Sequence, residues 1–204
     1  MLENISNLSN LKGMEYFILL MIGTVTYDGL RGTTYWRNLF GASVLDTGFS
    51  TLAFLSINLI VILSYRFACW FAIKVSGERK NLNEISLLFG HTMLPIAFAY
   101  HVTHYLSLLL YESQSLIFRL NDPYGLGWNL FNVNEVSINY FLSPVALWTI
   151  QVFVTLAGHM LSVVLAHDLA VKLFGHQQSD KTQYIFLLIT VGLTLQALFV
   201  LSVP

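Results

Sequence analysis

Charged side chains are scarce in this 204-residue chain: Asp, Glu, Lys and Arg account for 10% of it, against 55% hydrophobic residues. Soluble domains carry about 25% charged residues, so the composition excludes a water-soluble enzyme. The net charge is −1, which supplies no basic stripe and excludes nucleic acid as a partner. Cysteine is nearly absent too: the single Cys69 rules out an internal disulfide and leaves the redox compartment open. No internal repeat or low-complexity stretch divides the chain, and its length accommodates one integral membrane domain over residues 1–204.

What the chain does have is long apolar runs and a mean hydropathy of +0.65. Lipid offers the backbone no hydrogen-bond partners, so each run of about 20 apolar residues is expected to be a membrane-crossing helix. Four runs are clear, at about 51–75, 87–111, 144–170 and 184–203. A fifth, at about 11–27, has a short apolar centre from Tyr16 to Val25, which Glu15 and Asp28 bracket. The expected fold is all-α, a polytopic transmembrane helix bundle of about five spans, or four if the first segment does not cross.

With five spans, Lys12, Lys74, Arg79, Lys80, Lys172 and Lys181 fall on one side and Arg31, Arg37 and Arg119 on the other. Basic residues mark the cytoplasmic side, so the N-terminus is expected inside and the C-terminus outside. If the first segment does not cross, Lys12 changes sides and the C-terminus stays outside. The outer connections are long, about 28–49 and 112–143. Trp36 lies in the first, and the turn-rich Asn121-Asp122-Pro123-Tyr124-Gly125-Leu126-Gly127-Trp128 in the second. Their aromatics are expected to pack over the outer mouth of the bundle or belt the interface.

Against so apolar a background, ionisable residues inside spans stand out, because they are costly there and usually face the protein interior. His91, His101 and His104 share the third span, and His159 and His167 share the fourth; His176 falls in a loop. Consecutive antiparallel spans are expected to be neighbours. Along the axis, His91 and His101 are about 15 Å apart and His159 and His167 about 12 Å apart. Two tiers follow by depth, His101 or His104 opposite His159, and His91 opposite His167 with Asp168 beside it. His101 and His104 lie about 60° apart on their helix, as an HxxH pair must to reach one ion, but the other pairs are about 80° apart, which leaves convergence open. Arg66, deep in the second span, is placed to neutralise a haem propionate, to pair with Asp168, or to snorkel to the inner surface. Pro95 is expected to kink the third span, and Gly158 to let another helix approach the fourth.

Neutral imidazole is the commonest ligand of transition metals, and facing helices can hold a haem iron between two of them. One expectation is therefore a haem b or transition-metal site, with His104, His159, His91, His167 and Arg66 around a haem, or His101, His104, His159, His167 and Asp168 around a metal. The protein would then be an electron-transfer or accessory subunit, with partner subunits, in a bacterial or archaeal cytoplasmic membrane. Two alternatives use the same residues: a membrane-bound metal-dependent hydrolase, and a structural or transport subunit whose histidines hydrogen-bond or shuttle protons.

Several local patterns carry a resemblance. Leu94-Pro95-Ile96-Ala97, then Tyr100 and His104-Tyr105, then Asp122-Pro123-Tyr124-Gly125-Leu126-Gly127-Trp128-Asn129-Leu130-Phe131, Gly158-His159 and Ala166-His167 resemble a family of bacterial multi-pass membrane proteins, some members of which are labelled fenitrothion hydrolase. The resemblance covers about residues 20–200. It implies a helical membrane fold and, through the label, cleavage of an organophosphate ester. It favours His104, His159 and His167 over His91 and His101, and it marks Asp122, Gly125, Gly127 and Trp128 in the outer loop.

Overall fold

A computed structural model of the chain describes residues 11–77, 79–133 and 137–202. It is 83% helix, and no strand occurs among the described residues. In chain order the helices are α1 (Met14–Gly32), α2 (Thr34–Phe40), α3 (Thr47–Ser76), α4 (Leu82–Thr92), α5 (Leu94–Leu110), α6 (Leu116–Asn121), α7 (Pro144–Phe174) and α8 (His176–Ser202), with 3-10 turns at Gly41–Leu45 and Glu112–Ser115.

The boundaries follow from local chemistry. Asp46 caps α3 by accepting from Phe49 N at 2.6 Å, and Gly77, at φ 69°, ends it. Ser143 caps α7 by accepting from Ala146 N at 3.2 Å, Pro144 opens its first turn, and Gly175 ends it at φ 76°. Such caps give α3 and α7 30 and 31 residues, about 45 Å each, more than enough for a hydrocarbon core of about 30 Å.

Three helices are long and apolar enough to cross a membrane: Thr47–Ser76, Pro144–Phe174 and Lys181–Ser202 within α8. The pair α4 and α5, bent by 45°, makes a fourth crossing if it is one span. In each of the three, only 22% of the apolar window is buried within the protein. Leu55, Leu59, Ile60, Leu63 and Phe67 of α3, and Phe153, Met160, Leu161 and Val164 of α7, point outward. Water would penalise so continuous an apolar exterior, whereas lipid matches it. The protein is an integral membrane protein.

The bundle is built around α1, which packs against α3, α4, α5 and α8, while α7 packs against α5 and α8 and α3 closes onto α8. The core runs through Ile18, Leu19, Ile22, Tyr65, Phe89 and Ile96. Close approach is made possible at glycines. A Cβ on Gly23 would sit 2.4 Å from Asn58 Oδ1, and one on Gly158 would sit 2.4 Å from Ala99 Cβ and 2.9 Å from the Pro95 carbonyl. The packing role expected for Gly158 is therefore found, between α5 and α7.

Several expected boundaries move. The third span begins five residues earlier than position 87, at Leu82, and is broken between Thr92 and Leu94. Pro95, which lacks an N–H, stands in the first turn of the second piece. The connection expected to hold His176 shrinks to Gly175, because α8 starts at His176, before its apolar stretch begins. The connection expected at 28–49 contains the end of α1, α2, a 3-10 turn and the start of α3. Trp36 there packs edge-on against Tyr27, centroids 6.2 Å apart, and against Phe40 at 4.5 Å, so this loop does fold onto the bundle. Residue 203, the expected limit of the last span, and the start of the chain at 1–10 lie outside the described residues.

Candidate functional site

The third and fourth expected spans are neighbours, as α5 and α7, yet the imidazoles they carry go to separate partners. His104 turns to α1, where its Nε2 lies 2.9 Å from Asp28 Oδ2. A carboxylate only accepts, so Nε2 carries the hydrogen. The same Asp28 oxygen accepts from the Tyr105 hydroxyl at 3.2 Å. His104 and Tyr105 rings meet edge-on with centroids 4.7 Å apart, so two adjacent residues of α5 grip one carboxylate of α1.

Just inside this cluster, Val25, Thr26, Tyr100, Thr103, His104 and Gln196 help line a cavity of about 20 Å³, the volume of a single water. Thr26 donates to Gln196 Oε1 at 3.2 Å, joining α1 to α8. Gln151 of α7 donates to the Thr103 carbonyl at 2.8 Å, and the Thr155 and Thr103 hydroxyls lie 3.4 Å apart. The buried Tyr100 hydroxyl has no hydrogen-bond partner among the described residues. Polar groups of four helices thus converge near one end of α1, in a bundle that is otherwise apolar.

His159 and His167 turn instead to α8. His159 Nδ1 is 3.0 Å from Thr194 Oγ1, and Thr194 donates to its own Thr190 carbonyl at 2.9 Å, so the imidazole is the donor to Thr194. His167 Nδ1 is 3.1 Å from Gln183 Oε1. His91 and His101 hold the carbonyls of Leu87 and Ala97, one turn back, at 2.8 Å and 3.0 Å. Arg66 reaches neither Asp168 nor a histidine: Nη1 donates to Tyr16 at 2.8 Å and Nη2 to Asn83 at 3.0 Å, tying α3 to α1 and α4.

Among the described residues no imidazole hydrogen-bonds another, and no group of three or more His, Cys, Asp or Glu side chains is placed to hold a metal ion. Of the residues expected from the sequence around haem b, His104, His159, His91, His167 and Arg66, or around a metal, His101, His104, His159, His167 and Asp168, no three His or Asp side chains form a metal-holding group among the described residues. Three of the imidazoles are engaged by Asp28, Thr194 and Gln183. His91 Nε2 is buried with no hydrogen-bond partner among the described residues.

The break between α4 and α5 is also supported from α7. Ile96 N donates to Ser162 Oγ at 3.1 Å, replacing the helical bond that the bend removes. Beside it, Met93, Ser162, Val163, Ala166, Gln183 and Phe186 line part of an apolar cavity of about 220 Å³. In the loop after α6, Asp122 accepts from Leu126 N at 2.9 Å and Gly127 N at 2.8 Å, and Gly125 and Gly127 take φ of 67° and 76°. That loop is a built turn, and its glycines are required by backbone conformation.

From the sequence His104 stands out, but its pairing with Asp28 and the sharing of that carboxylate with Tyr105 do not, nor do Thr194, Gln183 and Ser162 as partners. Asp28 had a signal: a lone carboxylate at the edge of an apolar run, which the sequence reading took as a limit of the span. A scan against protein-family models, a search of curated proteins and a search of solved structures returned no match to this chain.

Proposed function

We propose that the chain is a transport subunit of a larger membrane complex, in a bacterial or archaeal cytoplasmic membrane, whose intramembrane histidines hold hydrogen bonds and pass protons between helices. In this reading it crosses five times, with the N-terminus cytoplasmic and the C-terminus outside. The first crossing is α1, whose 19 residues reach about 28 Å, close to the thickness of a hydrocarbon core. Its three charged residues are tolerable because α3, α4, α5 and α8 surround it. The basic residues Arg79 and Lys80 between α3 and α4 support the orientation.

The observation that carries the reading is the cluster in which His104 and Tyr105 share one oxygen of Asp28. Imidazole, carboxylate and phenol each exchange a proton without moving a heavy atom, and imidazole does so near neutral pH. The one-water cavity lined by Thr26, Tyr100, Thr103 and Gln196 continues the polar path inward from His104. Membrane vesicles from the cells that make the protein test this by the decay of an imposed pH gradient. Replacing Asp28 by Asn or His104 by Ala is expected to slow the decay about tenfold or more. Equal decay at equal protein levels would remove the basis for the reading.

A further inference from the structure

Glu15 lies far from the His104 cluster, at the opposite end of α1, and is 7% exposed. Its Oε2 is buried and, among the described residues, has no hydrogen-bond partner and no ion pair to an arginine or lysine. Arg66, the nearest candidate by sequence position on α3, is committed to Tyr16 and Asn83. Its place in the first turn of α1 favours an anion, but a buried carboxylate oxygen with neither hydrogen bond nor counter-charge is costly to hold.

Its surroundings are built from three helices. On α4, Gly90 leaves the space that Glu15 fills: a Cβ there would lie 2.6 Å from Glu15 Cβ and 3.6 Å from the Tyr65 hydroxyl. From α3, Tyr65, 1% exposed, donates to the Ser86 carbonyl at 2.6 Å. Ser86, also 1% exposed, has a buried Oγ that makes no hydrogen bond of good geometry among the described residues. Cys69, one turn beyond Tyr65, is buried as a free thiol. Tyr65 stands 11 residues from the end of α3 at Ser76, so the cluster lies about 16 Å along the helix from that end.

We propose that Glu15, with Ser86 and Tyr65 beside it, is a binding site for an exchangeable monovalent cation, a proton or a sodium ion, inside the bundle. One carboxylate supplies one negative charge, and the hydroxyls are neutral oxygen donors. A monovalent cation balances that set, whereas a divalent one would leave a net charge buried. The site uses none of the residues of the Asp28 cluster, and it stands whether or not that cluster relays protons.

Dicyclohexylcarbodiimide, an apolar reagent that modifies protonated carboxyls within membranes, tests the site on the full chain in its native membrane, followed by peptide mass mapping. The expected result is an adduct at Glu15, on a chymotryptic peptide separate from that of Asp28, and it is expected to persist in D28N. If sodium is the occupant, about 100 mM NaCl slows labelling severalfold by mass action. If the occupant is the proton alone, sodium has no effect and labelling falls as pH is raised. E15Q loses the adduct and E15D retains it. Mapping the unsubstituted protein locates the adduct even if E15Q folds poorly. Absence of an adduct at Glu15, together with no sodium-dependent protection of the bundle against thermal unfolding, would overturn the proposal.

Discussion

His104 Nε2 and Asp28 Oδ2 are 2.9 Å apart across α5 and α1, with the imidazole 20% and the carboxylate 48% exposed. The pair ties the C-terminal end of the central helix α1 to α5. Its contribution to stability is modest, since hydrogen bonds between membrane helices average about 0.6 kcal/mol. D28N should therefore lower the thermal midpoint in detergent only slightly while slowing proton movement strongly. A large loss of stability with unchanged proton movement would assign the pair a structural role instead.

Ser162→Ala removes the acceptor of Ile96 N at the helix break. A buried N–H left without a partner costs about 1–3 kcal/mol, and no carbonyl of α4 is aligned to replace it across a 45° bend. The unfolding midpoint of S162A should fall accordingly. An unchanged midpoint would mean that the bend relaxes when the hydroxyl is removed.

Gly158→Val places methyl groups where α5 and α7 touch. Even a bare Cβ would stand 2.4 Å from Ala99 Cβ and 2.9 Å from the Pro95 carbonyl, and backbone cannot yield as a flexible side chain can. Overpacking of this kind costs about 1–3 kcal/mol. Faster proteolysis in detergent at a fixed temperature, compared with the glycine form, is the expected reading. Gly192→Ala, where a Cβ meets nothing within 4 Å, should leave it unchanged.

Asp122→Ala frees the amides of Leu126 and Gly127. The loop after α6 should open while the bundle stays intact: trypsin cuts faster after the exposed Arg119, and the global stability changes by less than about 0.5 kcal/mol. Unchanged cutting would show that the Asn121 contacts to Asn129, Phe131 and Val133 hold the loop alone.

Much of this architecture can be read from the sequence, and the exceptions have physical causes. Apolar runs locate α3, α7 and the later part of α8, and Pro95 announces the break in the third span. The start of α8 is hidden because its first residues, 176–183, are polar, and a helix can begin well before it becomes apolar. The place of α1 at the centre is hidden by its charges: Glu15 and Asp28 look like the limits of a marginal span, whereas neighbouring helices shield the first and pair the second. The histidines were found by their rarity, but not their partners. Rotation about each helix axis decides whether His104 meets His159 or Asp28, and residue spacing constrains depth far better than it constrains rotation.

The central claim is that the intramembrane imidazoles carry hydrogen bonds and protons. An absorption spectrum and elemental analysis of the detergent-purified protein test it most directly, because haem b and metal ions leave unmistakable signatures. The expected result is no Soret band and no metal in stoichiometric amount. A Soret band, or one equivalent of metal that His159→Ala or His104→Ala removes, would contradict it.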